Sequence, residues 1–325
     1  MITIYLDNFR GFRNTTLPLS HVNFLVGENS TGKSSVLALI NLLISPEFWL
    51  TQNFNLPEHE FGGFRDILST GCDRGERFTI GAAGLRKNRE VSESTPTSYI
   101  LSYDEQDSLP RLSLFARLDG TNLMALRRFN NKYLFRTETV SLATIPDVSN
   151  AFELLTKQAS KPKSDFSELP KSVNKMQIGP LMIHLLSMSG ITGDFKGIKE
   201  LPIDIPFLGQ VTAWFAPIRT RPKRTYDGYR KHYSPEGEHT PYLIRKHLDS
   251  RSVTKTFSKA LKEFGLRSGL FFDVGVHNLG KEASSPFELR IQLHKGCDLR
   301  INSVGYGVSQ ALPLVVEMLL RSSGC

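Results

Sequence analysis

One segment near the N-terminus restricts the fold of this chain more than any other. Residues 27–35, GENSTGKSS, fit the pattern G-x-x-x-x-G-K-[ST], with Gly27, Gly32, Lys33 and Ser34 in the defining positions. Residues 21–26, HVNFLV, predict a strand that leads directly into this segment, and residues 36–43 after it place apolar side chains at helical spacing. A strand, a glycine-rich loop and a helix therefore follow one another in the order that a phosphate-binding loop requires.

Each position of this motif has a chemical reason. Gly27 and Gly32 let the backbone approach a phosphate group with no Cβ in the way, and a helix beginning near Lys33 directs its positive end at that group. Lys33 is expected to contact the β- and γ-phosphates of ATP, and Ser34 to bind Mg²⁺ through its hydroxyl, so these two are the predicted catalytic residues. The other loop residues predicted to bind nucleotide are Glu28, Asn29, Ser30, Thr31 and Ser35.

Composition excludes several classes of protein. The chain has 325 residues, 40% hydrophobic and 22% charged, which argues against disorder and fibrous folds. No run approaches the roughly 20 apolar residues of a membrane span, so no membrane is expected. Cys72, Cys297 and Cys325 form no CxxC pair and predict reduced thiols in a cytoplasmic protein. The net charge of +8 permits a polyanionic partner.

The rest of the chain divides into regions of different pattern. Strands are predicted at 2–9, 16–19, 78–82, 98–103, 112–118 and 287–293, and Asp119-Gly120 predicts a hairpin with a type I′ turn. We expect a nucleotide-binding core with an antiparallel β-lobe over 1–140, a helical insertion over 141–210 with helical fragments at 152–158 and 181–188, and a third region over 211–325. No heptad pattern persists, which excludes a long coiled-coil arm.

A basic block occupies residues 214–248. Eight positive residues lie between Arg219 and Lys246, with Tyr226, Tyr229 and Tyr233 among them. One interpretation is phosphate contact, to nucleotide or to a nucleic-acid backbone, with the aromatic rings available to stack. The other is a solvated basic loop. The candidate phosphate contacts are Arg219, Arg221, Lys223 and Arg224.

A second glycine-rich turn lies near the C-terminus. Gly305 and Gly307 precede an apolar helical pattern, so the backbone N–H groups of this turn are a second candidate anion site. Such a turn before a core helix is also a common structural feature.

Three blocks of sequence resemble a known group of proteins. LDNFRGFRNTTLPL…NFLVGENSTGKSSVLALI resembles the N-termini of ABC-type ATPases of the SMC/RecF/OLD group, in which Asn29 of the loop is typical. APIRTRPKRTY…PEGEHTPYLI and VGYGVSQALPLVV resemble AAA-type ATPases of OLD-like and Septu-like (PtuA) bacterial defence systems. The resemblance implies an α/β P-loop NTPase: an ABC-ATPase head with an antiparallel β-lobe and an inserted helical lobe.

The resemblance also implies how the site works. In that group, ATP bound to the P-loop of one head is capped by the signature loop of another, a role that falls here to Gly305 and Gly307. The usual signature serine has no clear match, so either Gly305 or Ser309 takes its place. The Walker B strand normally follows the signature helix. Residues 270–273, three apolar residues and Asp273, precede it instead, and we interpret them as the end of an unrelated strand. We therefore expect this chain to bind ATP better than it hydrolyses it, and a truncated sequence is the favoured reason.

Three hypotheses for function result. The first is an ATPase subunit of a cytoplasmic anti-phage defence complex that forms a homodimer or higher homo-oligomer through ATP and controls a nuclease effector. The alternative is an SMC/RecF-like DNA-repair ATPase that binds nucleic acid directly. The third is a non-catalytic scaffold in which ATP is structural.

Overall fold

The computed structural model describes most of the chain. The described residues are 2–56, 59–73, 75–87, 94–130, 132–141, 147–169, 178–179, 214–215, 221–228, 232–249, 254–282, 284–293 and 296–322. They form two compact units, Met1–Thr212 and Ala213–Cys325.

The first unit is built on one antiparallel sheet. Its strands are β1 (Ile2–Asp7), β2 (Thr15–Leu19), β5 (Phe78–Lys87), β6 (Ser94–Gln106), β7 (Leu109–Asp119), β8 (Asn122–Phe129), β9 (Lys132–Thr139) and β10 (Ser167–Glu168). Their order in the sheet is β10-β9-β8-β7-β6-β5-β1-β2. The short strands β3 (Asn55–Leu56) and β4 (His59–Glu60) pair separately. The predicted β-lobe is confirmed, and the N-terminal strands belong to the same sheet because β1 pairs with both β2 and β5.

Helices cover both faces of this sheet. On one face α1 (Lys33–Ile44), α2 (Pro46–Thr51) and α3 (Phe64–Ile67) pack in a cluster that includes Ile4 and Leu6 of β1. On the other face α4 (Val148–Thr156) packs through Phe152, whose ring stacks on that of Tyr5 at a centroid distance of 4.9 Å. β1 is therefore buried on both sides.

The prediction of a strand over 21–26 is wrong. No strand is assigned there, and Val22, Phe24 and Val26 are 69%, 86% and 90% exposed. A strand needs a neighbour to accept its backbone hydrogen bonds, and none of the described strands pairs with this segment. The segment therefore lies outside the described sheet although it contains Val22, Phe24 and Val26.

Two further predictions need correction. The turn between β7 and β8 pairs Asp119 with Asn122, so its central residues are Gly120 and Thr121. Only Gly120 has positive φ (+57°), which fits the first central position of a type II′ turn and not type I′. Asp273 begins a strand of the second unit and does not end one. The second predicted helix of the insertion, residues 181–188, lies outside the described residues.

The second unit combines three helices with a three-stranded antiparallel sheet. The helices are α5 (Thr240–Asp249), α6 (Thr254–Ser268) and α7 (Tyr306–Ser322), and the strands are β11 (Asp273–Asn278), β12 (Phe287–Leu293) and β13 (Cys297–Arg300). Its core joins Ile244 of α5, Leu261 of α6 and Leu312 of α7 to the sheet. The apolar helix predicted after Gly307 is α7. Among the described helices, none combines the length and apolar character needed to cross a membrane.

Candidate nucleotide-binding site

The backbone of the loop before α1 is curled, as the sequence predicted. Gly27, Ser30 and Gly32 have φ of +153°, +66° and +88°. Gly32 is the N-cap of α1, which has no side-chain cap and no acidic residue in its first turn. The first N–H groups of the helix therefore have no side-chain acceptor, and the positive end of the helix dipole is not neutralised locally. This end of α1 is suited to a phosphate group.

The ammonium group of Lys33 lies against the loop. Its Nζ donates to the Gly27 carbonyl oxygen at 2.8 Å, to the Thr31 Oγ1 at 3.3 Å, and to the carbonyl oxygen of Glu28. The Thr31 hydroxyl in turn donates to the Glu28 carbonyl at 2.9 Å. All of these acceptors are neutral, and an anionic phosphate oxygen would be a stronger partner for the charge. Lys33 is therefore placed to transfer its hydrogen bonds to a bound phosphate.

The remaining loop residues are open to solvent. Glu28, Asn29 and Ser34 are exposed and Ser35 is half-buried. The Ser34 hydroxyl gives Mg²⁺ one neutral oxygen, and within the described ranges no group of three His, Cys, Asp or Glu side chains could hold a metal ion. The donor set fits an ion that keeps water and phosphate oxygens as its other ligands, which is how Mg²⁺ is usually bound beside a nucleotide.

A contact that sequence reasoning missed supports the loop from one side. A Cβ on Gly32 would lie 2.6 Å and 2.8 Å from two ring carbons of Phe12. Phe12 ends a tight turn in which Arg10 donates to the Phe61 carbonyl oxygen at 2.8 Å and the Gly11 N–H donates to the Ser69 Oγ at 2.8 Å. Residues 61–69 thus fix the turn at residues 10–12 by hydrogen bonds, and the Phe12 ring of that turn packs against the nucleotide loop at Gly32. The only sequence signal was the string NFRGF, which entered the prediction as part of the resemblance and not as a contact.

Comparison with known families agrees with this geometry. A family model described as AAA ATPase domain matches residues 1–175, which include the loop, α1 and the whole eight-stranded sheet. The chain belongs to this family. ATP binding and, at a general level, ATP hydrolysis are therefore its chemistry. No curated protein matches the chain.

The second unit of this AAA ATPase carries the predicted signature turn. Gly305 precedes α7 and Gly307 is its second residue, and nothing lies within 4 Å of a Cβ built on either. Packing of the described residues therefore does not explain why these positions lack side chains. Ser309 is different, because it is buried and its Oγ donates to the Tyr306 carbonyl oxygen at 2.9 Å. Its hydroxyl is engaged within its own helix.

The basic block separates into surface and core residues. Arg221, Lys223 and Arg224 are exposed and form no ion pair with any described residue, whereas Arg219 lies outside the described residues. Arg245 is 9% exposed, places its guanidinium 4.7 Å from the ring centroid of Phe287, and donates to a backbone carbonyl. The ring of Tyr226 is buried against that of Phe287. Nothing in the pattern of the basic block distinguishes these two core residues from its surface residues.

Proposed function

We propose that this AAA ATPase is the ATP-binding subunit of a bacterial, cytoplasmic anti-phage defence complex. Two copies dimerise through ATP and regulate a nuclease effector. The observation that carries the proposal is the N-terminus of α1, which is uncapped and follows a curled loop with Lys33 folded across it. The defence role and the nuclease partner are inferred from the resemblance of the three sequence blocks.

Dimerisation through ATP is supported by the signature turn. Gly305 and Gly307 leave open space at the start of a helix, where backbone N–H groups can approach the γ-phosphate held by another copy. A side chain at Gly305 would occupy that space without disturbing the described packing of its own chain. Gly305→Ala is therefore expected to separate dimerisation from folding and from nucleotide binding.

The experiment measures nucleotide affinity and mass in solution with ATP and Mg²⁺. Lys33→Ala should abolish ATP binding and with it the ATP-dependent dimer, whereas Gly305→Ala should bind ATP and remain monomeric. Gly275→Ala is the matched control, because a Cβ there also meets nothing within 4 Å but the residue lies in β11, away from the signature turn. Unchanged ATP affinity in Lys33→Ala would refute the nucleotide site. A normal ATP dimer of Gly305→Ala would refute capping by the second copy.

A second candidate function is supported by the exposed cations of the basic block. Arg221, Lys223 and Arg224 have no charge partner among the described residues, as expected of a DNA-repair ATPase that contacts the phosphate backbone directly. In that case duplex affinity should fall steeply with salt, and charge reversal at Lys223 and Arg224 should reduce both the affinity and its salt dependence. Duplex affinity that does not depend on these two residues would exclude this function for the block.

A further inference from the structure

The segment between β2 and the nucleotide loop exposes apolar side chains that no described residue covers. Val22, Phe24 and Val26 are 69%, 86% and 90% exposed, and every residue from Ser20 to Thr31 is exposed. Proteins commonly expose single apolar side chains, but a contiguous group of them marks an interaction surface. Residues 22–26 are called the exposed segment below.

The backbone of the exposed segment also lacks partners. Within the described part of the chain, none of its N–H or C=O groups makes a hydrogen bond. The Asn23 side chain holds its start, because it accepts from the Ser20 N–H at 2.9 Å and donates to the Ser20 carbonyl oxygen at 2.7 Å. Backbone groups need hydrogen-bonding partners, and five consecutive free residues are suited to pair with a β-strand.

The exposed segment carries none of the usual protection against such pairing. Proteins protect an exposed strand edge with charged side chains, proline or a bulge. Residues 22–26, VNFLV, contain no charged residue, no proline and no glycine. A segment of this composition that stayed uncovered would promote aggregation. We therefore expect a strand with apolar, uncharged side chains to cover it.

The exposed segment is complementary to itself. Val22 and Val26 are equally distant from Phe24 in the sequence. An antiparallel pair of two copies with a two-fold axis at Phe24 therefore places Val22 opposite Val26 of the other copy, and the two Phe24 rings opposite each other. With the axis at Leu25 instead, Val22 would lie opposite Glu28. The register centred on Phe24 is thus the one that opposes apolar residues at all three positions.

The size of this contact predicts a weak dimer. A phenylalanine side chain carries roughly 150–250 Å² of surface, and the exposed segment as a whole presents roughly 500 Å². Two copies would bury roughly 1,000 Å² together, at the low end of specific interfaces. Dimerisation should therefore depend on concentration, with a Kd of roughly 10–500 μM.

We propose that residues 22–26 form an antiparallel β-pair with the same segment of a second copy of this chain, about a two-fold axis at Phe24. The pair forms without nucleotide and does not use the signature turn, so it does not rest on the function proposed above. Because the exposed segment leads into Gly27, the pairing would also fix the entry to the nucleotide loop.

The test is sedimentation equilibrium of the full chain without nucleotide, in a Lys33→Ala background that prevents any ATP-dependent dimer. Over about 5 μM to 1 mM, a monomer–dimer equilibrium is expected. Amide hydrogen exchange within residues 22–26 should slow as the concentration rises, because alternate N–H groups then donate across the pair.

Phe24→Asp and Phe24→Lys test the two-fold axis. Each variant alone places two like charges at the axis and should weaken dimerisation by about tenfold or more. An equimolar mixture places opposite charges there and should dimerise more tightly than either variant alone. Because Phe24 is 86% exposed, both variants should unfold at the temperature of the monomeric parent.

Leu266→Asp is the matched control, because it introduces the same charge at an exposed apolar side chain of α6 in the second unit. A monomer at every concentration, an equal loss of dimer in Leu266→Asp, or a mixture of the two Phe24 variants that stays monomeric overturns the proposal. So does a species that grows beyond two copies, since the two-fold pair contains only two. A dimer with unchanged exchange at residues 22–26 also overturns it, since the contact then lies elsewhere.

Discussion

Replacing Gly32 with alanine tests how the nucleotide loop is held. Gly32 has φ of +88°, where an L-residue costs about 1–2 kcal/mol relative to glycine. The added Cβ would also lie 2.6 Å from the Phe12 ring, so the ring or the loop must move. Overpacking of this kind costs about 1–3 kcal/mol. Together, the two terms predict a loss of roughly 2–5 kcal/mol in the free energy of unfolding of the first unit.

Urea denaturation followed by tryptophan fluorescence measures this loss. Trp49 is fully buried in the first unit, and a Trp214→Phe background leaves it as the only tryptophan. In a Phe12→Ala background the steric term is absent, so Gly32→Ala should then cost only the backbone term of about 1–2 kcal/mol. Equal costs in the two backgrounds would refute the contact. A cost below about 0.5 kcal/mol with intact Phe12 would refute the argument as a whole.

Two further predictions concern the second unit. Hydrogen bonds from His239 and Arg321 hold the pKa of Glu317 below its ordinary value. The stability that they confer is therefore present above the unfolded carboxyl pKa of about 4.3 and is lost as the pH falls through the folded value. Glu317→Gln should lower the free energy of unfolding by about 1.5–3 kcal/mol at neutral pH. It should also make the stability depend less on pH in the acid range. The dependence that remains includes the contribution of Glu288, whose pKa is lowered by the hydrogen bond from Arg300. An unchanged acid limb would contradict this. Arg245→Met should lower stability by about 1–2 kcal/mol through loss of the contact with Phe287 and leave duplex affinity, measured by fluorescence anisotropy, unchanged. If Arg245→Met lowers duplex affinity and leaves the stability unchanged, Arg245 acts as a surface cation and not as a core residue.

Local patterns predicted the elements that are specified locally. The apolar spacing after Lys33 and after Gly307 gave α1 and α7, and alternating residues gave β12 at the bounds that the structure has. The strand predicted over 21–26 is wrong because a local sequence pattern does not supply a neighbouring strand to accept its backbone hydrogen bonds. The hairpin turn failed by one residue, since either Asp119-Gly120 or Gly120-Thr121 can occupy the central positions beside the same strands.

Contacts between distant residues could not be predicted in this way. Phe12 and Gly32 lie 20 positions apart in different elements, and no periodicity connects them. Arg245 and Tyr226 were counted as part of a basic, aromatic surface, but the ring of Phe287 from β12 covers them. Charge counting along the chain cannot distinguish a cation over an aromatic ring from one in solvent.

The support of the nucleotide loop is asymmetric. The segment entering the loop exposes Phe24 and Val26 almost fully and pairs with no described strand, so it contributes little to positioning the loop. On the other side, α1 is anchored by Leu39 and Leu43, and the Phe12 ring lies against Gly32. Polar substitutions at Phe24 or Val26 should therefore change the stability of the described fold less than Phe12→Ala does. Since the φ of Gly32 sets the direction in which the first N–H groups of α1 point, changes in the Phe12 turn should act on nucleotide affinity although no residue of that turn belongs to the P-loop.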